Sequence, residues 1–136
     1  MTGVQTCALP ILWAVSIDTP QRRQLSWPPS GAPGDLAPAM SPDGKTLAFV
    51  RKTAWRTSEL YLQDLKPDLS PTGTPRRVTH LGCVARPAWT PDGDRIVFEA
   101  PRDGVGIWQV DRSSKRVRPV LGAPNTASLQ IGRAHV

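Results

Sequence analysis

The apolar positions of this chain fall in short runs, and no helical period joins them. Residues 46–50 (TLAFV) have too little polar alternation for a half-exposed strand, so we expect a strand that is buried on both faces. Residues 59–65 (ELYLQDL) and 106–111 (GIWQVD) also have strand-like patterns. The chain has 15 Pro and 11 Gly, which favour many short strands joined by tight turns. The pattern therefore predicts an all-β protein.

Two segments of the chain repeat each other. Residues 38–49 read PAMSPDGKTLAF, and residues 87–98 read PAWTPDGDRIVF, with six of twelve positions identical at a spacing of 49 residues. Internal periods near 40–50 residues are typical of propellers, solenoids and arrays. We therefore expect one structural unit to occur at least twice.

Each repeat divides into four strands of the same order. In the first repeat we expect strands at 37–41, 46–50, 59–65 and 76–80. The second and third strands are joined by a loop at 51–58, and the third and fourth by a loop at 66–75. In the second the strands are expected at 86–90, 95–100, 106–111 and 116–121. Strands at 12–17 and 22–26 match the second half of a preceding unit, and 125–129 would open a following one.

The shared Pro-Asp-Gly sequence predicts a hairpin turn in both repeats. Proline pre-sets φ, aspartate can hydrogen-bond nearby backbone, and glycine accepts a positive φ. A calcium site needs about six oxygen ligands, whereas each turn offers one carboxylate. We therefore give these residues a structural turn role: Pro42, Asp43, Gly44, Pro91, Asp92 and Gly93.

Both ends of the chain resemble translated sequencing-adapter DNA rather than native protein. Residues 1–11 (MTGVQTCALPI) and 131–136 (IGRAHV) match one adapter, so we exclude both from fold reasoning. A signal peptide is the alternative for the first segment, but it lacks a basic region before its apolar run. The remaining expected divisions are the end of a preceding blade at 12–30, a first full blade at 35–80, a second at 84–122, and the start of another at 123–130.

Composition narrows the chemistry without identifying a function. Outside the excluded ends His80 and Cys83 are the only His and Cys, too few for a Cys/His metal site, and we expect no metal and no cofactor. The net charge of +6 is modest and scattered, so we expect no nucleic-acid contact. No apolar run reaches the roughly 20 residues of a membrane helix.

The duplicated motif resembles the PD40 (WD40-like) repeat of TolB-type β-propellers, with the closest likeness to propellers of bacterial winged-helix regulators or Ser/Thr kinases. The resemblance covers residues 12–130 and implies a partial β-propeller fragment, with two four-stranded antiparallel blades plus a half blade. Met40 stands where the pattern usually has Trp, as at Trp89. We expect Met40 to fill the same space between blades.

The resemblance also predicts which loops share a face. On one face we expect the ligand-binding candidates Arg51, Trp55, Arg56, Arg86 and Arg102, because cations beside an aromatic ring can bind an anionic or sugar-like ligand. An ordinary solvated loop face is the alternative, and it stays open. For His80 and Cys83 we expect a loop histidine and a small buried thiol rather than a catalytic pair.

These features favour a non-catalytic binding or sensory module of a larger bacterial protein, of the regulator or kinase type. No GxSxG nucleophile motif occurs, so we expect no enzyme activity from this segment. The alternatives are the propeller domain of a prolyl-oligopeptidase-type serine peptidase and a TolB-like periplasmic envelope protein. The partner, a protein or a small molecule, is left unidentified, as is a periplasmic or cytoplasmic location.

Overall fold

A computed structural model describes residues 10–120, which form strands, turns and loops and no helix. There are ten strands among these residues. They are β1 (Trp13–Val15), β2 (Arg22–Gln24), β3 (Gly34–Met40), β4 (Thr46–Ala54), β5 (Thr57–Leu65), β6 (Pro71–Arg77), β7 (Ala85–Trp89), β8 (Arg95–Arg102), β9 (Val105–Asp111) and β10 (Val117–Pro119).

The strands form three antiparallel sheets, each made from consecutive strands. One sheet pairs β1 with β2, the next has the order β3-β4-β5-β6, and the last has the order β7-β8-β9-β10. We name them the half blade, the first blade and the second blade. The predicted fold class, two four-stranded blades and a half blade, is confirmed. The expected divisions at 123–130 and 131–136 lie outside the described residues, as do residues 1–9 and the strand at 125–129.

The core consists of two apolar layers, one on each face of the first blade. Leu47 and Phe49 of β4 pack toward the half blade, together with Leu12, Leu25 and Leu65. Their neighbours Ala48 and Val50 pack toward the second blade, in a layer that includes Ile96 and Phe98. Successive side chains of a strand point to opposite faces, so a strand between two blades must be apolar at every position. This explains the unbroken run at 46–50.

The structure corrects four of the expected loop and strand ranges. The predicted loop at 51–58 is mostly strand, because β4 continues to Ala54 and β5 begins at Thr57. The predicted loop at 66–75 ends early, since β6 begins at Pro71 and ends at Arg77 rather than covering 76–80. β6 is an edge strand, where Pro71 and Pro75 can lack a donor without breaking a central ladder. β10 covers only Val117–Pro119 of the expected 116–121, and residue 121 lies outside the description.

Met40 and the tryptophans of the strands differ in how deeply they are buried. Trp89 packs against the layer between the blades, and its Nε1 donates to the Ala39 carbonyl oxygen at 2.9 Å. Met40, in contrast, is 39% exposed, so the expectation that it fills a space between blades is wrong for the described residues. Trp13 is also partly exposed, at 47%, whereas Trp108 packs against the same layer as Trp89.

Candidate functional site

One end of the two blades collects the turns that were predicted to share a face. The β4–β5 turn and the start of β3 meet there, since Gly34 pairs with Lys52. The segment between the two blades joins them, because the Ser58 amide donates to the Gly82 carbonyl oxygen at 3.1 Å. The β8–β9 turn lies beside it, with Arg102 Nη1 3.4 Å from the His80 carbonyl oxygen. We call this end the loop face.

The tip of the loop face is the β4–β5 turn, Trp55–Arg56. Trp55 is 83% exposed, and Arg56 beside it is exposed as well. The flanking strands hold the turn in place, with Lys52 paired to Ser58 and Ala54 paired to Thr57 across a local register shift. A large aromatic ring and a guanidinium are therefore presented together on a short hairpin.

Arg51 lies beneath this tip rather than on it. Its side chain is 8% exposed and makes two bonds to the fully buried carboxylate of Asp35, from Nε at 2.6 Å and from Nη2 at 2.8 Å. Its guanidinium also lies 5.3 Å from the centre of the Phe49 ring and 5.0 Å from that of Tyr61. Because these contacts bury and pair the Arg51 guanidinium, Trp55 and Arg56 are the predicted candidates on this hairpin that face solvent.

The two other candidate arginines lie on the second blade and are paired locally. Arg86 Nη1 is 3.1 Å from a carboxylate oxygen of Glu99, and its own side chain is highly exposed. Arg102 Nε is 3.7 Å from a carboxylate oxygen of Asp103. Because both pairs are at the surface, they are weak and leave the guanidinium groups accessible to a further partner.

The segment between the blades is organised by Glu59, a residue that sequence reasoning passed over. Its carboxylate is buried and accepts from Arg77, from the Thr79 hydroxyl, and from the backbone amides of Leu81 and Gly82. His80 is exposed within this segment. The thiol of Cys83 is exposed too, so the expectation of a buried thiol is wrong.

At the opposite end lie the Pro-Asp-Gly turns, with Pro42 and Pro91 at their starts. In the first turn, Asp43 Oδ1 accepts from the Ser41 hydroxyl at 2.6 Å and from the Lys45 amide at 2.9 Å. These bonds hold the pKa of Asp43 well below its usual range. Gly44 has a φ of 71°, a left-handed conformation that glycine adopts without strain.

The second turn repeats this arrangement. Asp92 Oδ1 accepts from the Thr90 hydroxyl at 2.5 Å and from the Asp94 amide at 2.9 Å, and Gly93 has a φ of 75°. As at Asp43, the hydrogen bond from the hydroxyl is the main cause that lowers the pKa of Asp92, and the bond from the amide is the second. Both aspartates therefore cap their own turns.

A charged cleft of about 710 Å³ opens beside these turns, between the first and second blades. Three acidic residues line it, Asp64, Asp94 and Asp111, and five basic ones, Arg76, Arg95, Arg112, Lys115 and Arg118. This cleft was not predicted from the sequence. Its members come from both repeats, and the only signal was the charge density of 111–118 (DRSSKRVR).

Among residues 10–120, no group of three His, Cys, Asp or Glu is placed to hold a metal ion. No helix of these residues is long and apolar enough to cross a membrane.

Solved structures share this fold. TolB from Acinetobacter baumannii superposes with a TM-score of 0.61 at 26% identity, over 79% of this chain and 25% of that one. The chain folds as part of a TolB-type β-propeller. Puromycin hydrolase has a TM-score of 0.60 at 21% identity, over 72% of this chain and 15% of that one. The β-propeller domain of the trilobed protease from Pyrococcus furiosus has a TM-score of 0.55 at 23% identity, over 79% and 33%.

The comparisons fix the fold and leave the repeat family open. No protein-family model and no curated protein matches the sequence, so the PD40 assignment stays a prediction. The chain spans a third or less of each of these three structures, which makes the activity of the whole protein a matter for proposal.

Proposed function

We propose that this propeller segment is a non-catalytic binding module of a larger bacterial protein of the regulator or kinase type. It binds a protein partner through the loop face. The single observation that carries the proposal is Trp55, a large aromatic residue that is 83% exposed at the tip of a hairpin. Tryptophan and arginine are the residues most enriched at the energetic centres of protein interfaces.

The scaffold beneath Trp55 supports this role. The buried pair of Arg51 and Asp35 joins the first two strands of the blade directly below the tip. A hairpin that is already ordered loses little conformational freedom on binding, so more of the contact energy remains as affinity. The hairpin therefore presents Trp55 and Arg56 at low entropic cost.

The test is to capture a binding protein with the unaltered chain. Its affinity is then measured for that chain and for the variants Trp55→Ala and Arg56→Ala. Each should reduce the affinity for the captured protein, Trp55→Ala by about 2 kcal/mol or more if it is an interface centre. Arg116→Ala removes an exposed arginine elsewhere and should have no effect. Equal capture by the Trp55→Ala variant would refute the loop face as the binding surface.

The second candidate is the propeller of a prolyl-oligopeptidase-type serine peptidase. The likeness to puromycin hydrolase and to the trilobed protease propeller supports it at the level of fold. A third, a TolB-like periplasmic protein, is supported by the 26% identity to TolB. The sequence of the complete gene separates the three. A winged-helix or kinase domain supports the first, a GxSxG hydrolase domain the second, and a signal peptide without an enzyme domain the third.

A further inference from the structure

We propose that the cleft between the two blades is a second site, which binds the phosphate group of a small molecule. It lies at the Pro-Asp-Gly end, away from the loop face, and so does not depend on the proposed partner interface. The proposal rests on the convergence of Arg95, at the start of β8, and Lys115, in the β9–β10 turn, on a cleft whose other side is lined by the first blade.

The charges that line the cleft do not balance. Five basic and three acidic residues leave two positive charges in excess. Two of the acids are already bound by arginines within the cleft: Asp64 by Arg76 at 2.7 Å, and Asp111 by Arg118 at 3.1 Å. The positive excess therefore belongs to the other basic side chains.

Arg95 and Lys115 are the two cleft cations that form no salt bridge in the described part of the chain, although Asp92 attracts Arg95 and Asp64 attracts Lys115 from farther away. Among residues 10–120, neither lies within 4.0 Å of a carboxylate. Arg95 Nη1 bonds only to the amide oxygen of Gln109, at 3.3 Å, and the Lys115 ammonium donates to the Arg112 carbonyl oxygen. Two cations suit a phosphate dianion better than they suit a carboxylate, which carries one negative charge. A guanidinium can also donate hydrogen bonds to two phosphate oxygens at once.

The protonation equilibrium of Lys115 points the same way. Partial burial lowers its pKa, and the positive charges of Arg76 and Arg112 lower it further, while Asp64 acts in the opposite direction. An ammonium among other cations gains when an anion enters, because the anion offsets both the burial and the repulsion. The cleft volume, about 710 Å³, also lies in the range of small-molecule sites.

Asp94 allows the opposite test, because it is a negatively charged residue of the same cleft. It lines the cleft next to Arg95 in the chain, and it is exposed and without a basic partner within 4.0 Å among the described residues. Its negative charge should oppose an incoming anion. Removing that charge should therefore strengthen phosphate binding, whereas removing the charge of Lys115 or Arg95 should weaken it.

The experiment is a calorimetric titration of the full 136-residue chain with inorganic phosphate, with ionic strength matched by NaCl. We expect one saturable site, about tenfold weaker binding in Lys115→Gln and Arg95→Gln, and tighter binding in Asp94→Asn. Arg116→Gln is the matched control, because Arg116 is exposed, adjacent to Lys115 in sequence and outside the cleft lining. Acetate, which carries a single charge, should bind more weakly than phosphate.

Three results of the titration would contradict phosphate binding in the cleft. Absence of saturable binding, an equal loss in Arg116→Gln, or weaker binding in Asp94→Asn would each overturn the proposal. If a variant fails to fold, the unaltered chain still decides. The NMR-observed pKa of the Lys115 ammonium should rise when phosphate is added and stay constant when NaCl is added. A constant pKa in phosphate would also overturn it.

Discussion

Arg112 of the second blade reaches across the blade interface and donates from Nη1 to Asp43 Oδ2 of the first blade, at 2.9 Å. Its Nη2 donates to the Thr46 hydroxyl at 2.8 Å, and its guanidinium lies 5.3 Å from the centre of the Trp89 ring. The turn aspartate of one repeat thus serves a second purpose as the acceptor for the next. One side chain joins a turn, a strand start and the tryptophan between the blades.

The preceding interface is built differently at the same position. The Arg112 amide donates to the Asp94 carbonyl oxygen, as the Leu65 amide donates to that of Lys45, so Leu65 is the equivalent residue of the first blade. Leu65 packs in the apolar layer against the half blade. At this position the first blade therefore meets the half blade through an apolar contact and the second blade through a charged one.

The first prediction is that Arg112→Ala lowers the free energy of unfolding by about 1 kcal/mol, through loss of the Thr46 hydrogen bond and the packing on Trp89. The effect should shrink with added NaCl as far as it depends on Asp43, because salt screens partly exposed charges. Urea denaturation at low and high salt measures both. Arg116→Ala should leave the midpoint unchanged, and a similar loss in that variant would contradict the interpretation.

The second prediction concerns the buried pair of Arg51 and Asp35. Arg51→Ala should destabilise the chain by about 3–5 kcal/mol, because it leaves the buried Asp35 carboxylate without its partner. The equivalent positions of the second blade, 49 residues on, hold Val84 and Ala100, and both are buried in the apolar layer.

The second blade therefore suggests the control for that experiment. The double variant Asp35→Val with Arg51→Ala reproduces its residues and should be more stable than Arg51→Ala alone, because no buried charge is left unpaired. Denaturant unfolding of the three proteins measures the difference. A double variant that is as unstable as the single one would show that the ion pair itself, rather than the orphaned carboxylate, determines the loss.

The duplicated sequence predicted the blades but not the buried ion pair. Aligning the two repeats predicted the blades, because strand patterns and turns recur in both. It also placed Arg51 on an exposed loop, although its equivalent, Ala100, is an apolar residue of a strand. The partner, Asp35, is 16 residues away in sequence and falls outside the duplicated motif. A charge at a position that is apolar in the other repeat was the missed signal of a buried pair.

Contacts between repeats were the part that sequence alone could not supply. Arg112 and Asp43 are 69 residues apart, and no local pattern connects them. Met40 and Trp89 are equivalent in sequence, but Trp89 has the first blade beside it and Met40 is partly exposed. The environment of a residue at a blade interface depends on the adjacent blade, so the pattern of one repeat predicts the buried run of β4 but not the exposure of Met40.

The third prediction tests the apolar layer between the blades. Phe98 is 1% exposed in that layer, and Phe98→Ala should cost about 3–5 kcal/mol of stability through lost burial and a residual cavity. Ile17 is 98% exposed, so Ile17→Ala should change stability by no more than about 0.5 kcal/mol. Thermal and urea unfolding measure both variants. Similar losses at the two positions would contradict the blade packing described above.

The fourth prediction is a loss of stability in acid, in which Asp64 takes part. The Arg76 hydrogen bond is the main cause that lowers the pKa of the Asp64 carboxyl below its ordinary value of 3.8. A depressed folded-state pKa contributes stability above pH 3.8, and that contribution disappears as the pH falls from 3.8 toward the folded-state pKa. Asp64→Asn should therefore be less stable than the unaltered chain at pH 6, and this difference in stability should narrow as the pH falls below 3.8. Urea midpoints at pH 6, 4, 3 and 2 measure the difference, with Asp18→Asn as the control for loss of an exposed carboxylate. A difference that is the same at pH 6 and at pH 2 would mean that Asp64 stabilises the blade through its shape and hydrogen bonds rather than through its charge.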